Sequence, residues 1–258
     1  MQVLKIIKMT AIAGLAVVAT ARCANADDVT FLCAAALQSA MQELIPEFQK
    51  TSGHNVKVEY ANIGNITERI RRGDEADLAV VSAKQWESLQ RDGKVSADPR
   101  VVIGKVGLGV FVMKGAARPD IGSVEAFKRA LLNARSIAVA NPSQGSPEGA
   151  YLMPLFDRLG ISDDIKSKLQ ITAARHGATA EAVVKGDADI GFTQINEIII
   201  SRDVDLVGPL PAEIQNFTIF TAAVPVNAKQ VAAARALTTF LTSPRSVFVF
   251  KSKGLEAG

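Results

Sequence analysis

Short apolar runs that lead straight into amphipathic segments recur along the chain, and this repeated unit restricts the fold more than any other feature. In the first unit, an apolar run at 30–35 precedes 37–48, where apolar residues follow the i, i+3, i+4 spacing of a helix. Ser39, with Gln42 three residues later, predicts the N-cap and capping box of that helix. Such a strand-to-helix turn directs free backbone N–H groups and the positive end of the helix dipole at one point, which suits an anion.

The same unit is repeated further along the chain. A strand at 56–60 precedes a helix capped by Asn65, and a strand at 77–81 precedes a helix capped by Ser82. Further helix starts are predicted at Ser123, Ser146, Gln194, Asn227 and Ser243. Strands that alternate with helices predict an α/β fold with mixed, mainly parallel sheets and helices on both faces.

Two longer extended runs, 106–113 and 217–226, enclose a middle part that has its own strand–helix pattern. We therefore predict two lobes joined by two crossing strands, one lobe at 27–108 plus 222–258 and the other at 109–221. Ligands of open α/β sheets bind beyond the carboxyl ends of the strands. If the lobes face each other, their helix starts meet in one cleft.

Residues 1–26 have the form of a signal peptide. Lys5 and Lys8 provide the basic start, 11–20 is an apolar segment too short to span a bilayer, and a small-x-small motif ends at Ala26. The pattern predicts export to the periplasm with cleavage after Ala26.

The net charge and the number of cysteines that matter are those of the mature chain, without the predicted leader. The whole sequence has 29 basic and 26 acidic residues, and the three cations of the leader leave the mature chain formally neutral. This balance gives no support for nucleic-acid binding. Cys33 is the single cysteine after the leader, so we predict no internal disulfide and place it in the core, with a reactive thiol as the alternative.

Motifs that carry catalysis are absent from the sequence. It contains no G-x-S-x-G elbow, no P-loop lysine and no H-E-x-x-H zinc motif. His54, His176 and Cys33 lack the spacing of metal ligands. We predict a binding protein without a cofactor or a metal, and an exported enzyme is the alternative.

Several segments, taken in order, resemble periplasmic molybdate-type solute-binding proteins of ABC importers. They are FLCAAALQSAMQELIPEF, EADLAVVSAKQWESL, PEGAYLMPLFDRLG, KGDADIGFTQINE and FVFKSKGLEAG. The resemblance covers nearly the whole mature chain. It implies a type II periplasmic-binding-protein fold, a monomer whose two lobes close over a tetrahedral oxyanion, and a membrane permease with its ATPase as partners.

The resemblance also implies a set of ligand-binding positions. They are Leu37, Gly64, Asn65, Glu148, Gly149, His176 and Gln194. Leu37 stands where family members place a serine, Glu148 where they place an alanine, and Gln194 where a tyrosine is frequent. These departures remove hydroxyl groups and add larger side chains, so a small organic carboxylate is an alternative to a molybdate-like oxyanion.

Overall fold

The computed structural model describes residues 28–256, so the predicted leader and its cleavage site lie outside the described residues. The strands are β1 (Asp28–Ala34), β2 (Asn55–Ala61), β3 (Leu78–Ser82), β4 (Val101–Met113), β5 (Ile137–Ala140), β6 (Leu169–Thr172), β7 (Ile190–Gln194), β8 (Val204–Pro209) and β9 (Phe217–Ala223). The helices are α1 (Gln38–Ser52), α2 (Ile63–Arg72), α3 (Ala83–Arg91), α4 (Val124–Asn133), α5 (Pro147–Arg158), α6 (Ser162–Ile165), α7 (Ala178–Val184), α8 (Ile195–Ile199), α9 (Val231–Leu241) and α10 (Pro244–Ser252).

The strands lie in the order β2-β1-β3-β9-β4-β7-β5-β6, and β8 also pairs with β4. β1 and β5 form the parallel pairs, whereas every pair that contains β4 or β9 is antiparallel. The first half of β4 pairs with β9, and its second half pairs with β7 and β8. β4 therefore continues from the strands around β9 to the strands around β7 and β8, and it connects these two parts of the molecule.

One of the two predicted crossing strands is wrong. β9 pairs only with β3 and with the first half of β4, so it does not reach the other side. The second connection instead runs through 210–216, where Pro211 precedes a single 3₁₀ turn at Ala212–Ile214. Gln215 holds this connection to the middle of β4, because its side-chain amide accepts from Leu108 N and donates to Leu108 O, both at 3.0 Å.

The buried apolar residues form separate clusters on the two sides of these connections. One cluster of buried residues includes Phe31, Val106 and Phe220, and another begins at Leu108 and ends at Leu210. This division agrees with two lobes, and the lobe limits given above stay a prediction. Cys33 is buried in the first cluster, as predicted for a core residue.

Several predicted helix starts are confirmed. The side chains of Ser82, Ser123, Ser146 and Ser243 each accept a hydrogen bond from the backbone N–H three residues later. At Ser146, Pro147 occupies the first helical position, where its missing N–H costs nothing.

Three predicted caps are wrong. α1 begins at Gln38, directly after a 3₁₀ turn at Ala35–Leu37, so Ser39 lies inside the helix. α2 is capped by Asn62 rather than Asn65, because Asn62 has an extended backbone and its Oδ1 accepts from Asn65 N at 2.7 Å. Asn227 lies before α9, and its side chain donates to Gly73 O.

Asp77 joins three segments of the first lobe through backbone N–H groups. It is 4% exposed, and its Oδ2 accepts from Thr30 N at 2.9 Å. Its Oδ1 accepts from Lys229 N and Gln230 N, both at 2.8 Å. One carboxylate thus connects β1, the start of β3 and the approach to α9.

Across residues 28–256, no helix has both the length and the apolar character that a bilayer crossing requires.

Candidate ligand-binding cavity

A cavity of about 60 Å³ lies between the two lobes. Its lining comes from five places where a strand ends and a helical segment begins: 34–36, 61–63, 146–148 with Ala140, 174–176 with Thr179, and 192–194 with Glu197. The first two belong to the first lobe and the other three to the second. The predicted meeting of helix starts at one cleft is therefore present for these segments, whereas Ser82 at the start of α3 lies outside the lining.

Direct contacts hold the two lobes together around this cavity. Asn62 Nδ2 donates to Ala174 O at 2.9 Å, and Asn196 Nδ2 donates to Ala36 O at 2.5 Å. Gly64 faces Gly145 so closely that a Cβ on Gly64 would lie 2.9 Å from the Gly145 Cα. The structure is an arrangement in which the lobes meet around a small, partly open space.

Glu148 is the most unusual side chain in the lining. Its Oε2 accepts from Ser146 Oγ at 2.8 Å, and its Oε1 accepts from Gln194 Nε2 at 2.7 Å. Burial raises the pKa of Glu148, and the nearby negative charge of Glu197 raises it further. The site thus holds a carboxyl group that binds its proton more tightly than an ordinary glutamate does.

A second carboxylate, Glu197, lies on the same side of the cavity with its side chain 14% exposed. Its Oε1 lies 3.3 Å from His176 Nδ1, and its Oε2 accepts from Thr193 Oγ1 at 2.9 Å. The hydrogen bond to Glu197 raises the pKa of His176, while partial burial opposes this shift. His176 and Glu197 therefore form a pair that favours the protonated imidazole.

Residues 29–256 match the sequence profile of a family described as bacterial extracellular solute-binding protein. The chain belongs to that family. An aconitate isomerase from Pseudomonas sp is 28% identical over 234 residues, which cover 88% of this chain and 87% of the relative. The molybdate-binding protein of Escherichia coli (strain K12) is 27% identical over 235 residues, 90% of each chain.

Among solved structures, the periplasmic molybdate-binding protein of Azotobacter vinelandii superposes with a TM-score of 0.74 at 21% identity, covering 89% of this chain and 99% of that one. This likeness confirms the predicted type II periplasmic-binding-protein fold. The resemblance to molybdate-type solute-binding proteins is confirmed as well.

The cavity of this solute-binding protein brings together three of the seven predicted site residues. Glu148, His176 and Gln194 line it. Leu37 does not, because its side chain is fully buried in the core of the first lobe. Asn65 is exposed, one turn into α2.

The two predicted glycines also lie outside the lining. Gly64 packs on Gly145 in the contact between the lobes. Gly149 lies in the first turn of α5, against the end of β5, where a Cβ would fall 2.0 Å from Ala140 O. Both allow close approach of backbone segments, and a contact of either with a ligand stays a prediction.

Sequence reasoning missed several residues of the site. Asn62, Thr193 and Glu197 line the cavity, and Ser146 was predicted as a helix start at the cleft but not as a binding residue. Glu197 follows Gln194 by three residues, the spacing of a cap and its acidic partner, which was the available signal. Within the described part of the chain, no group of three or more His, Cys, Asp or Glu residues is arranged to hold a metal ion.

The raised pKa of Glu148 predicts a specific dependence of stability on pH. Because the folded chain binds this proton more tightly than the unfolded chain, stability is lost as the pH rises from the ordinary carboxyl pKa through the raised one. Gln cannot ionise. We therefore expect the unfolding free energy of Glu148→Gln to increase relative to that of the wild type as the pH rises above about 4.

Urea denaturation without added ligand, from about pH 4 to pH 8, measures this difference. The matched control is Glu213→Gln, which removes an exposed carboxylate outside the cavity. If the unfolding free energy of the wild type instead increased relative to that of Glu148→Gln as the pH rose, the raised pKa of Glu148 would be contradicted.

Proposed function

We propose that this chain captures a small anionic solute between its two lobes outside the cytoplasm and delivers it to the permease of an ATP-driven importer. The observation that carries the proposal is the cavity between the lobes, which is formed by strand-to-helix turns of both. Helix starts offer unpaired backbone N–H groups and a positive dipole end, so they bind anions without a cationic side chain. Family membership supports the transport role.

Closure follows from the same geometry. A solute in the cavity touches 34–36 and 61–63 of one lobe together with 146–148 and 174–176 of the other. It therefore binds the closed arrangement more tightly than an open one and shifts the population toward closure. Closure in turn is the signal that a permease distinguishes from the empty protein.

The size of the cavity limits the solute. A partly open space of about 60 Å³ has room for a handful of water molecules, which favours a tetrahedral oxyanion or a small organic acid as the solute. The Escherichia coli relative is named for molybdate. A molybdate-like oxyanion is thus one candidate and a small carboxylate the other.

A thermal-shift panel tests the proposal on the mature chain. It contains molybdate, tungstate, sulfate, phosphate and small organic acids. A solute at one hundred times its dissociation constant stabilises the folded state by about 2.7 kcal/mol, which gives a clear shift. We expect at least one anion to stabilise the protein, and a panel without any shift would contradict anion capture.

Asn62→Ala tests the role of closure. This variant loses the cap of α2 and also the hydrogen bond to Ala174 O of the other lobe. Ser123→Ala loses a comparable cap on α4, remote from the cavity. We expect both to lose about 1 kcal/mol of stability, and only Asn62→Ala to lose solute affinity. Equal affinity of the two variants would contradict the role of this contact in closure.

Proton transfer is a second candidate function, favoured by one observation. The cavity contains a carboxyl group of raised pKa, Glu148, and also the His176–Glu197 pair. An isomerisation that moves a proton needs one group to remove it and another to return it, and two groups in different environments can share these roles. One relative is named an aconitate isomerase.

Incubation with aconitate distinguishes the two functions. Proton NMR would follow conversion between the isomers, and D₂O would report exchange of the transferred proton. Turnover that Glu148→Gln abolishes would support the enzyme, whereas stabilisation without turnover would support transport.

A further inference from the structure

The two lobes present different chemistry to the cavity. The first lobe contributes 34–36 and 61–63, which include no charged residue. The second lobe contributes the carboxylates of Glu148 and Glu197 and the amide of Gln194. An anion that fills this space meets helix starts of both lobes, and on the second-lobe side it also meets the hydrogen-bond acceptors of Glu148 and Gln194.

Among the described residues, Glu148 has no cationic side chain as a partner. Within residues 28–256, Glu148 forms no ion pair, and its two partners are the neutral groups of Ser146 and Gln194. Arg175 also lines the cavity, but its guanidinium group is paired with Glu181 at 2.6–2.7 Å. Each carboxylate oxygen has two lone pairs, so Glu148 retains capacity to accept further hydrogen bonds.

Gln194 adds a third acceptor to this group. It is 3% exposed, its Nε2 donates to Glu148, and its Oε1 has no hydrogen-bond partner. Rotating the amide would replace the hydrogen bond from Nε2 to Glu148 Oε1 with two facing acceptor oxygens, so this hydrogen bond fixes the orientation that leaves the Gln194 Oε1 unpaired. A buried acceptor without a hydrogen-bond donor is unfavourable. An O–H or N–H donor brought by the solute would give this group of acceptors a hydrogen-bond partner.

Resting on the capture function proposed above, we propose that the solute is an anion that carries its own O–H or N–H donor, which Glu148 and its neighbouring acceptors bind. Its negative group lies toward the helix starts of the first lobe. A bare oxyanion such as molybdate or sulfate has only acceptor atoms and offers no hydrogen to the acceptors of Glu148 and Gln194, so the cavity selects against it. Hydroxy acids, small amino acids and hydrogen phosphate share the required chemistry.

Isothermal titration with matched solutes at pH 7.5 tests this specificity. The pairs are lactate with propionate, alanine with propionate, and phosphate with sulfate and molybdate. Sites that hydrogen-bond a substrate O–H reject analogues without it strongly. We expect at least one donor-bearing solute to bind about tenfold or more tightly than its partner, and the pair that shows this difference identifies the source of the donor.

Glu148→Gln is the decisive variant, because glutamine can donate a hydrogen bond and carries no charge. We expect the preference for the donor-bearing solute to fall about tenfold or more, with sulfate and molybdate gaining affinity. Glu213→Gln is the control and should keep the wild-type ratio. If Glu148→Gln does not fold, the ratios measured on the wild type decide the question alone.

The outcomes separate the two proposals. Tight binding of molybdate or sulfate with weak binding of every donor-bearing solute would overturn this inference and leave anion capture standing. An unchanged ratio in a folded Glu148→Gln would also overturn it. Absence of binding by every anion would overturn the capture function itself, and the specificity inference with it.

Discussion

Replacing Gly149 with alanine is expected to lower the unfolding free energy by about 2–3 kcal/mol and to weaken solute binding at least tenfold. A Cβ at this position would lie 2.0 Å from Ala140 O and 3.1 Å from Pro142 N. Both atoms belong to the backbone, so no side-chain rotation relieves the overlap. The first turn of α5 must then move away from the end of β5, and Ser146 and Glu148 move with it.

The expected loss opposes the ordinary preference of helices for alanine. In an open helix position, Gly→Ala stabilises by about 1 kcal/mol. Gly208→Ala is the matched control, because its Cβ would lie 3.5 Å from Ile121 Cδ1, an ordinary contact. Urea denaturation and isothermal titration measure both variants. Wild-type stability and affinity in Gly149→Ala would show that α5 does not need this close approach.

Asp77→Ala is expected to destabilise the first lobe by about 3–5 kcal/mol. The substitution removes the acceptor of three backbone N–H groups, those of Thr30, Lys229 and Gln230. These three hydrogen bonds are partly buried, so the loss of each is expected to cost about 1–2 kcal/mol, and the cavity left by the carboxylate adds to the loss.

A series of variants at this position separates the hydrogen bonds from the charge. Asp77→Asn keeps one acceptor oxygen, so it should fall between the wild type and Asp77→Ala in unfolding free energy. Asp163→Ala, an exposed acid at the start of α6, is the surface control and should stay within about 0.5 kcal/mol of the wild type. An Asp77→Ala protein as stable as this control would contradict the role assigned to the carboxylate.

The strand and helix pattern was predictable because it depends on local periodicity. The strand predicted at 56–60 lies within β2, and the caps at Ser82 and Ser146 are where the sequence places them. At these caps a serine directly precedes the first helical residue. Pro147 strengthens the prediction at α5, since proline is favoured at the first position of a helix.

The caps of α1 and α2 could not be placed because the cap depends on the backbone conformation before the helix. Asn62 and Asn65 lie within one turn of each other, and Glu68, three residues after Asn65, has the spacing of a capping box. Only the extended backbone of Asn62, with ψ at 154°, makes it the cap. At α1, the 3₁₀ turn before the helix shifts the start past any serine.

The site was predictable only in part. Glu148, His176 and Gln194 followed from the family resemblance, and the structure places all three on the cavity. Asn196 could not be identified, because its partner Ala36 is 160 residues away and lies in the other lobe. The pairing of Glu197 with His176 depends likewise on how α8 packs beside the start of α7.

Amide side chains supply hydrogen bonds that join the two sides of the cavity. Asn62 and Asn196 donate to backbone carbonyl groups, and Gln194 Nε2 lies 3.5 Å from Thr218 Oγ1. Dissolved ions screen interactions between charges, but they have little effect on hydrogen bonds between neutral groups. The equilibrium between open and closed forms should therefore change little with ionic strength, so a cell could use this protein in dilute and in saline surroundings alike.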